Sequence, residues 1–503
     1  MVLNQKKYSL YFYLLTLGLS LAKILFTLRP EINLFTEEAQ YWLWSQNLAW
    51  HYYSKPALVA VLNFISTAVM GNTELAIRIN AILCGIGIAW VTFIFGTYLY
   101  SKKVGFWSAL VIQAMPFWWL ASTFHMTDSS LSFFWILSIY LSYRGINEEN
   151  RVCWIYAGIA TVLGLTAKYV MVLIFPVLII YLLFIRKWKT QRANFLVFVM
   201  ISALGFLPIV IWNWQNNFET FLHLLALTGT EGTSSKPFSL TAASKSLLEF
   251  VKGQLAIVSL FLLPSWLLTF KFNFKNISTP FIFLVLPGMM AFLIFASLSI
   301  FKEAMVNWPT FSYAGLAIVF ARWMTLQGKF WKIVSHGGIY ISIALPLIFI
   351  LPDYTGIKSS KTVKKREQRI IKRLLGHEQL AKRIDHLTDS LGIDNAFVFS
   401  DSYHTASALS FYLKGNPQTY VLNMGSRKNQ FNFWNGIEQF LGRENTGIFV
   451  SWNYDSMEDK VSFQSLIHEE SFITKFHNIP RRAVKIQYWS NLIEYKPTLP
   501  TSY

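Results

Sequence analysis

The chain has 503 residues, of which 54% are hydrophobic and only 14% are charged. Soluble proteins carry about 25% charged residues, so these values exclude one large water-soluble enzyme, and they equally exclude intrinsic disorder. The net charge of +18 does not indicate nucleic-acid binding, because many of the basic residues before position 353 lie in short loops between apolar stretches. The two cysteines, Cys84 and Cys153, lie in apolar stretches and imply no disulfide framework.

Long apolar stretches dominate residues 1–352. A membrane-spanning helix needs about 20 apolar residues, and by that rule about eleven stretches could cross a bilayer. They predict a polytopic α-helical membrane protein, with crossings at 8–28, 75–100, 104–120, 129–143, 152–167, 170–184, 195–212, 247–270, 281–300, 308–324 and 333–351.

The distribution of basic residues predicts the orientation. Short basic loops at 102–103, 144–151, 186–192, 271–275 and 322–332 are typical of the cytoplasmic side. The opposite side then receives two longer loops, at 29–74 and 213–246, and the tail 353–503. We therefore expect a cytoplasmic N-terminus and an extracytoplasmic C-terminal domain in a bacterial inner membrane.

The tail has a different pattern. Short β-type runs at 396–400, 419–422 and 447–451, with a helical stretch at 404–413, predict a small extracytoplasmic α/β domain. Before it, residues 358–391 form a basic, amphipathic linker. This linker could lie on an anionic lipid surface, or its helix could pack on its own domain; the sequence leaves both readings open.

An acidic pair directly follows the first apolar helix. Glu37 and Glu38 would lie at the membrane interface, and Glu38 shares one helical face with Tyr41 and other aromatic residues. Such a pair is costly beside a bilayer unless it has a partner or a purpose. It could act in acid–base catalysis, or it could simply favour a helix N-terminus.

Scattered outer residues complete the pattern. Lys55 precedes Pro56 and could contact a phosphate or anchor the chain at the interface. Asp128 is the only aspartate before position 353, and an N-cap role for it is the structural alternative.

Together with the acidic pair, these motifs resemble the bacterial GT-C glycosyltransferases of the protein O-mannosyltransferase and lipid A aminoarabinose transferase type (dolichyl-phosphate-mannose-protein mannosyltransferase-like). The motifs that carry the resemblance are Glu37-Glu38, Tyr41-Trp-Leu-Trp, Tyr52-Tyr-Ser-Lys-Pro56, Glu74-Leu-Ala-Ile-Arg78, His125-Met-Thr-Asp128, Gly164-Leu-Thr-Ala-Lys-Tyr169, Trp212-Asn-Trp214 and Asn307-Trp-Pro309.

The resemblance implies a membrane glycosyltransferase. It would move a sugar from a polyprenyl-phosphate-linked donor to an envelope lipid, glycan or protein acceptor on the outer face of the inner membrane. Catalytic roles would fall to Glu37, Glu38 and Asp128, with Glu37 as the base or acceptor-orienting carboxylate. Contacts to the donor phosphate would come from Lys55, Arg78 and Lys168. Substrate-binding roles would fall to Tyr41, Tyr52, His125, Tyr169, Asn213, Lys302, Glu303, Asn307 and Trp308.

Two alternatives and one cofactor question accompany this interpretation. A transporter or flippase of lipid-linked sugars would carry charges at the bilayer midplane, where Lys23 and Arg78 are the candidates. A catalytically altered membrane scaffold is the second alternative, because Glu37 replaces the aspartate usual in the family. A divalent metal ion could bind carboxylates with His51 or His125, although no ligand spacing supports it.

Overall fold

The computed structural model describes residues 2–228, 239–273, 278–301, 305–347, 372–424, 428–452, 457 and 460–496. A helical bundle occupies the described residues up to 347, and a five-stranded sheet with two helices follows from 372. The predicted fold class is thereby confirmed.

Side-chain caps start several helices of the bundle. Thr73, Ser101 and Asn150 each accept a hydrogen bond from a backbone N–H of the first helical turn that follows, and such caps satisfy donors that a helix leaves unpaired. The helices of this first half are α1 (Val2–Thr27), α2 (Thr36–Gln46), α3 (Leu58–Met70), α4 (Glu74–Leu99), α5 (Lys102–Ala114), α6 (Pro116–Ala121), α7 (Thr127–Asn147), α8 (Arg151–Ala167) and α9 (Ile174–Phe184).

The second half of the bundle is apolar along most of its length. Its helices are α10 (Trp188–Ala203), α11 (Leu207–Gln215), α12 (Glu219–Thr228), α13 (Leu240–Val258), α14 (Leu263–Asn273), α15 (Thr279–Phe301), α16 (Tyr313–Leu326) and α17 (Lys329–Leu347).

Four helical segments among the described residues are long and apolar enough to span a membrane. Two shorter apolar segments, Arg151–Ala167 and Tyr169–Phe184, and helix α3 fall below that length. A fifth span results if Leu240–Val258 and Leu260–Thr269, which meet at 81°, cross as one unit. The count of about eleven crossings that the length rule gives stays a prediction. The four long segments are Lys6–Thr27, Glu74–Leu99, Trp188–Gln215 and Thr279–Phe301.

Basic loops collect at one end of the bundle. Lys187 Nζ, just after α9, donates to the carbonyl of Ile146 near the end of α7 at 3.4 Å. The guanidinium of Arg322, near the end of α16, lies 4.9 Å from the ring of Tyr100, which follows α4. These contacts fix one basic end. At the other end α8 stops at Lys168, so the predicted turn between two short helices at this position is confirmed.

Two predicted spans are broken in the structure. Residues 104–120 form α5 and α6 rather than one helix, since Pro116 starts α6 and proline cannot donate the hydrogen bond that a helix interior requires. The span predicted at 247–270 is interrupted at Ser259, whose φ of 83° lies in the left-handed region and ends α13.

The sheet has the order β2-β1-β3-β5-β4. Its strands are β1 (Ala396–Ser400), β2 (Tyr420–Val421), β3 (Thr446–Ser451), β4 (Val461–Phe476) and β5 (Ile479–Tyr495). β1 runs parallel to β2 and β3, whereas β5 pairs antiparallel with β3 and β4. The three strands and the helix α19 (Tyr403–Tyr412) that the sequence predicts in this region are confirmed.

The hairpin of β4 and β5 is the element that the sequence analysis missed. Its turn is His477-Asn478, and both residues have positive φ values of 47° and 64°. Tight hairpin turns need such values, but Asn-Gly or Asp-Gly is their usual sequence signal. Without that signal, the sequence did not predict the two long strands.

The amphipathic stretch before β1 packs on its own domain where the structure describes it. Helix α18 (His377–Ser390) buries Leu380, Ile384 and Leu387 in a cluster with residues of the sheet such as Ile448. This supports the packing alternative for residues 377–390. The earlier part of the predicted linker, 358–371, lies outside the described residues.

The sheet domain sits on the end of the bundle opposite the basic loops. Trp42 of α2 meets Phe411 of α19 edge to face at 5.0 Å, and both belong to one buried apolar cluster. Asn33 Oδ1 accepts the backbone N–H of His377 at 2.9 Å and so caps α18 from the first outer loop. The tail and the first outer loop therefore lie on the same side, as predicted.

Candidate active site

An enclosed ion pair holds the first outer loop on the bundle. Glu38, in the first turn of α2, contacts Arg78, in the second turn of α4, with Oε2 to Nη2 at 3.1 Å and to Nε at 3.2 Å. Both side chains have 0% exposure. Removing one partner of such a pair leaves an uncompensated buried charge, so the pair fixes where the loop sits.

Every strong contact of this pair is internal to the protein. Glu38 also accepts backbone N–H groups of Phe35 at 2.9 Å and His125 at 2.8 Å, and Arg78 donates to the carbonyls of Ile32 and Asn33. This arrangement gives Arg78 no open side toward a substrate. Arg78 and Glu38 are therefore enclosed by contacts within the fold, and their predicted phosphate-binding and catalytic roles stay predictions.

A second ion pair joins two helix ends that face the same side. Asp128 lies in the first turn of α7 and Lys168 directly follows α8, and Lys168 Nζ is 2.9 Å from Asp128 Oδ1. Asn307 Nδ2 approaches Asp128 Oδ2 at 3.4 Å. Lys168 and Asp128 keep 13% and 9% side-chain exposure. The N-cap of α7 is Met126, so Asp128 does not cap this helix.

Glu37 points away from its neighbour Glu38 and stays accessible. Its side chain is 29% exposed; Oε2 accepts the hydroxyl of Thr36 at 2.6 Å and Oε1 lies 3.7 Å from Arg373 Nη1. Arg373 comes from the tail, just before α18. Of the three predicted acids, Glu37 is thus the one whose carboxylate is most open to an incoming hydroxyl.

Tyr41 joins Glu37 to Asp128. Burial raises the pKa of the Tyr41 hydroxyl above its usual value, and the charges of Glu37, Asp128 and Tyr403 raise this pKa further. Because salt screens charges, a charge shifts the pKa of another group only when the two groups lie close together. Two acids separated by 91 positions in sequence therefore both act on the Tyr41 hydroxyl.

His51 and Tyr169 form a neighbouring part of this site. The ring Nε2 of His51 lies 2.6 Å from the Tyr169 hydroxyl, and Trp212 of α11 packs against the same imidazole at 5.5 Å between centroids. Burial lowers the pKa of His51 to about 3, so the ring is neutral at pH 7. Lys55 lies in the same turn, whose ends are bridged by His51 and Pro56, and its carbonyl accepts the N–H of Tyr52.

His125 lies beneath the outer site. Its Nδ1 is 2.6 Å from Asn63 Oδ1, and burial lowers its pKa to about 3. Asn80 Nδ2 in turn donates to Ser66 at 2.9 Å, so buried polar groups connect α3 and α4 with the loop before α7. His125 is neutral and enclosed, which supports a positioning role for it.

The other predicted substrate-binding residues lie in different parts of the chain. Tyr52 stacks on Trp44 at 4.4 Å and donates to the Trp44 carbonyl at 2.8 Å, so it closes the end of α2. Asn213 is buried and accepts the N–H of Thr220 at 3.1 Å, which shapes the turn between α11 and α12. Trp308 is half-buried against Phe295. Lys302 and Glu303 lie outside the described residues.

Some site residues escaped the sequence analysis. Asn63 carried a weak signal, as a polar position on the buried face of an otherwise apolar helix. Tyr403 carried a weak signal, as one of the tail residues that resemble the family, and Arg373 carried none; both belong to the tail and reach the site only through the docking of α18 and α19. No cluster of three or more His, Cys, Asp or Glu side chains suited to a metal ion occurs within the described ranges.

The chain is similar in sequence to known sugar transferases. Residues 54–212 match the family model for dolichyl-phosphate-mannose-protein mannosyltransferase. The chain is 24% identical over 432 residues to the lipid A galacturonosyltransferase RgtD of Rhizobium johnstonii, and this match covers 81% of the chain and 86% of RgtD.

Two solved structures share the fold. Crystal structures of ArnT from Cupriavidus metallidurans superpose with a TM-score of 0.64 at 12% identity in the apo state and 0.62 at 14% identity with bound undecaprenyl phosphate. Each covers 95% of this chain and 98% of ArnT. This chain is therefore a multi-pass membrane glycosyltransferase, similar in sequence to dolichyl-phosphate-mannose-protein mannosyltransferases and to RgtD, and similar in fold to ArnT.

Proposed function

We propose that this glycosyltransferase moves a sugar from a polyprenyl-phosphate carrier to a lipid A-type glycolipid at the outer face of the inner membrane. The observation that carries the proposal is the Asp128–Lys168 ion pair, whose aspartate, like the accessible Glu37, raises the pKa of the Tyr41 hydroxyl. The acceptor class is supported by the relative RgtD, whose name gives lipid A. The carrier class is supported by ArnT, which was crystallised with undecaprenyl phosphate.

The reaction breaks one bond and forms another at the anomeric carbon. The acceptor oxygen attacks this carbon, the bond from carbon to phosphate oxygen breaks, and the polyprenyl phosphate leaves with the electron pair. The ammonium group of Lys168 can stabilise the negative charge on this leaving group. Asp128 holds the Lys168 ammonium in place, and Asn307 holds Asp128.

Glu37 takes the proton of the acceptor hydroxyl. Its carboxylate is accessible, and Arg373 Nη1 lies 3.7 Å from Glu37 Oε1. Glu37 stands where the family carries an aspartate, so its carboxylate reaches one methylene further from the backbone. Lys55 remains a candidate for a second phosphate contact, because its turn adjoins Tyr169 through His51.

The orientation and the domain boundaries belong to the same proposal. The basic end of the bundle, with Lys187 and Arg322, faces the cytoplasm by the positive-inside rule, and the outer site and the tail then face the periplasm. We divide the chain into a catalytic membrane domain, 1–352, and an extracytoplasmic α/β domain, 353–503. Labelling of a cysteine at position 55 only from the cytoplasmic side would reverse this orientation.

Mass spectrometry of envelope lipids tests the function. Lipid A from cells with this chain is expected to carry one additional sugar residue that is missing from cells without it. Glu37→Gln and Asp128→Asn are expected to remove the sugar while the protein remains in the membrane. Glu148→Gln is the matched control, since Glu148 pairs with Arg144 in a basic loop at the opposite end. Full activity of both Glu37→Gln and Asp128→Asn would end the proposal.

A further inference from the structure

A short segment of the tail reaches the first outer loop. This segment, residues 428–433, lies between β2 and β3 and contains a single 3-10 turn, Gln430–Phe433. Gln430 is buried, and its Oε1 accepts the backbone N–H of Tyr53 at 2.7 Å, across 377 positions of sequence. This hydrogen bond joins the sheet domain to the turn 51–56, which carries Lys55.

The turn 51–56 is held from two sides. On the side of the bundle, His51 Nε2 lies 2.6 Å from the hydroxyl of Tyr169. On the side of the tail, the N–H of Tyr53 meets Gln430. Tyr53 is buried, and a buried backbone N–H needs an acceptor, so the place of Gln430 helps to determine the place of the turn. Lys55 follows Tyr53 by two residues and moves with it.

Aromatic and ionic contacts fix the tail segment itself. The ring of Phe433 stacks on Tyr53 with 5.6 Å between centroids and packs against Trp212 of α11 at 5.4 Å. Lys428 forms an ion pair with Glu219, in the first turn of α12. The segment therefore contacts both the turn 51–56 and the two helices of the bundle beside it, so its backbone is a fixed support for Gln430.

We propose that Gln430 is a positioning residue for the Lys55 ammonium group at the donor phosphate. The inference rests on the proposed function, in which Lys55 is a candidate for a second phosphate contact. Gln430 acts through the backbone of Tyr53 and not on the substrate itself. Displacement of a positioned group by about 1 Å can lower a reaction rate about 100-fold, so one hydrogen bond that sets this turn is sufficient. The sheet domain thereby serves donor binding, although Lys55 and Lys168 both belong to the membrane domain.

Binding of undecaprenyl phosphate tests the inference. Full-length protein in phosphatidylcholine nanodiscs is titrated with this lipid, and thermal unfolding of each variant is recorded. Lys55→Met is expected to weaken binding about 10- to 100-fold through loss of a charge-assisted contact, and Gln430→Leu about 10-fold through its displacement. Gln379→Leu is the matched control and should bind like wild type, because the Oε1 of Gln379 accepts a backbone N–H within the sheet domain, that of Lys475 at 2.9 Å.

A double variant separates positioning from a general structural role. If Gln430 acts through Lys55, adding Gln430→Leu to Lys55→Met should change binding by no more than about 2-fold, the usual scatter of additivity. A contact that only stabilises the fold would instead weaken binding by the same factor in both backgrounds. Such multiplied losses would overturn the inference, and so would wild-type binding by Gln430→Leu.

Conservative variants provide a second readout. Gln430→Glu keeps a side-chain oxygen at the same distance from the backbone and should bind within about 3-fold of wild type, because a carboxyl oxygen also accepts an N–H. Gln430→Asn is one methylene shorter and should behave like Gln430→Leu. If Gln430→Leu unfolds, the polar Gln430→Asn replaces it in the double variant. Equal losses in Gln430→Glu and Gln430→Leu would overturn the inference.

The sugar on lipid A distinguishes failure of this inference from failure of the proposed function. Coupled losses of undecaprenyl phosphate binding in the Gln430 and Lys55 variants, without an additional sugar on lipid A in wild-type cells, would support the positioning role and refute the proposed acceptor. Wild-type levels of that sugar and of binding in Gln430→Leu would leave the proposed function intact and refute the positioning role. Absence of binding by the wild-type protein would refute both.

Discussion

The Glu38–Arg78 pair and the Asp128–Lys168 pair join the same kinds of side chain at the same end of the bundle. The first pair is 0% exposed on both sides, and backbone groups satisfy its remaining hydrogen-bonding atoms. The second pair keeps an accessible edge beside Tyr41. Charge and position in sequence do not distinguish the pairs. Burial and hydrogen bonding distinguish them: the enclosed pair stabilises the fold, whereas the accessible pair can contact a substrate.

Breaking the enclosed pair should have the largest effect. Glu38→Gln or Arg78→Met should each destabilise the protein by about 3–5 kcal/mol, because each leaves one buried charge without its partner. Thermal unfolding in detergent measures this loss. The double variant Glu38→Met/Arg78→Met should be less destabilised than either single variant. A single variant that unfolds like wild type would contradict the structural role of this pair.

Breaking the accessible pair should instead reduce catalysis. Lys168→Met should lower the transfer rate about 100- to 1,000-fold, by loss of the cation at the leaving phosphate, and should leave the protein folded. Radiolabelled sugar transfer together with thermal unfolding separates the two effects. Lys187→Met, at the opposite end of the bundle, is the matched control. Equal transfer rates in the two variants would remove Lys168 from the mechanism.

The buried histidine beneath the site makes stability depend on pH. His125 has a pKa of about 3 in the folded protein against 6.5 for an ordinary histidine, so the unfolded chain binds the extra proton first. Its contribution is fully present above pH 6.5 and declines toward pH 3, by about 1.4 kcal/mol per pH unit. His125→Gln should lack this part of the slope. The free energy of unfolding of both proteins is measured between pH 7.5 and 4.5, the window in which this titration acts. Identical slopes of this free energy against pH in wild type and variant would contradict the prediction.

The contact between the tail and the first outer loop should give the smallest effect. The Tyr412 hydroxyl accepts the N–H of Leu34 at 2.6 Å and donates to Glu74 at 2.8 Å. Tyr412→Phe should cost about 1–3 kcal/mol, because both partners remain partly buried, and should loosen the sheet domain from α2. Limited proteolysis and thermal unfolding measure this change. Tyr340→Phe, an exposed tyrosine of α17, is expected to leave both unchanged.

The sequence predicted the membrane architecture well because hydropathy acts locally. Apolar length predicted helices such as Glu74–Leu99 and Thr279–Phe301, and basic loops predicted which helix ends lie together. Where a local feature overrode the average hydropathy, the predicted helix was interrupted. Pro116 divided one predicted span and Ser259 bent another. The long hairpin was missed because His477-Asn478 supplies the required turn without the usual glycine.

Roles within the candidate site depended on neighbours that the sequence could not supply. Glu37 and Glu38 are adjacent and chemically alike, but the helix directs one carboxylate to solvent and Arg373 and the other into the bundle toward Arg78. Arg78 matched a family motif and was expected at the donor phosphate, yet its guanidinium is used by Ile32, Asn33 and Glu38. The assignment of the site residues to catalytic and binding roles stays a prediction for the experiments above.

The sequence by itself determined that this protein is a polytopic membrane protein with a small α/β tail, and its motif order indicated a GT-C glycosyltransferase. Composition and periodicity carry that information, because the residues on each face of a helix or strand must suit the lipid, water or protein core around them. Only the tertiary structure decided which carboxylate is accessible, which arginine is enclosed, and that Arg373 of the tail reaches Glu37. Those facts depend on long-range packing, because a side chain's exposure and pKa are set by residues hundreds of positions away in sequence.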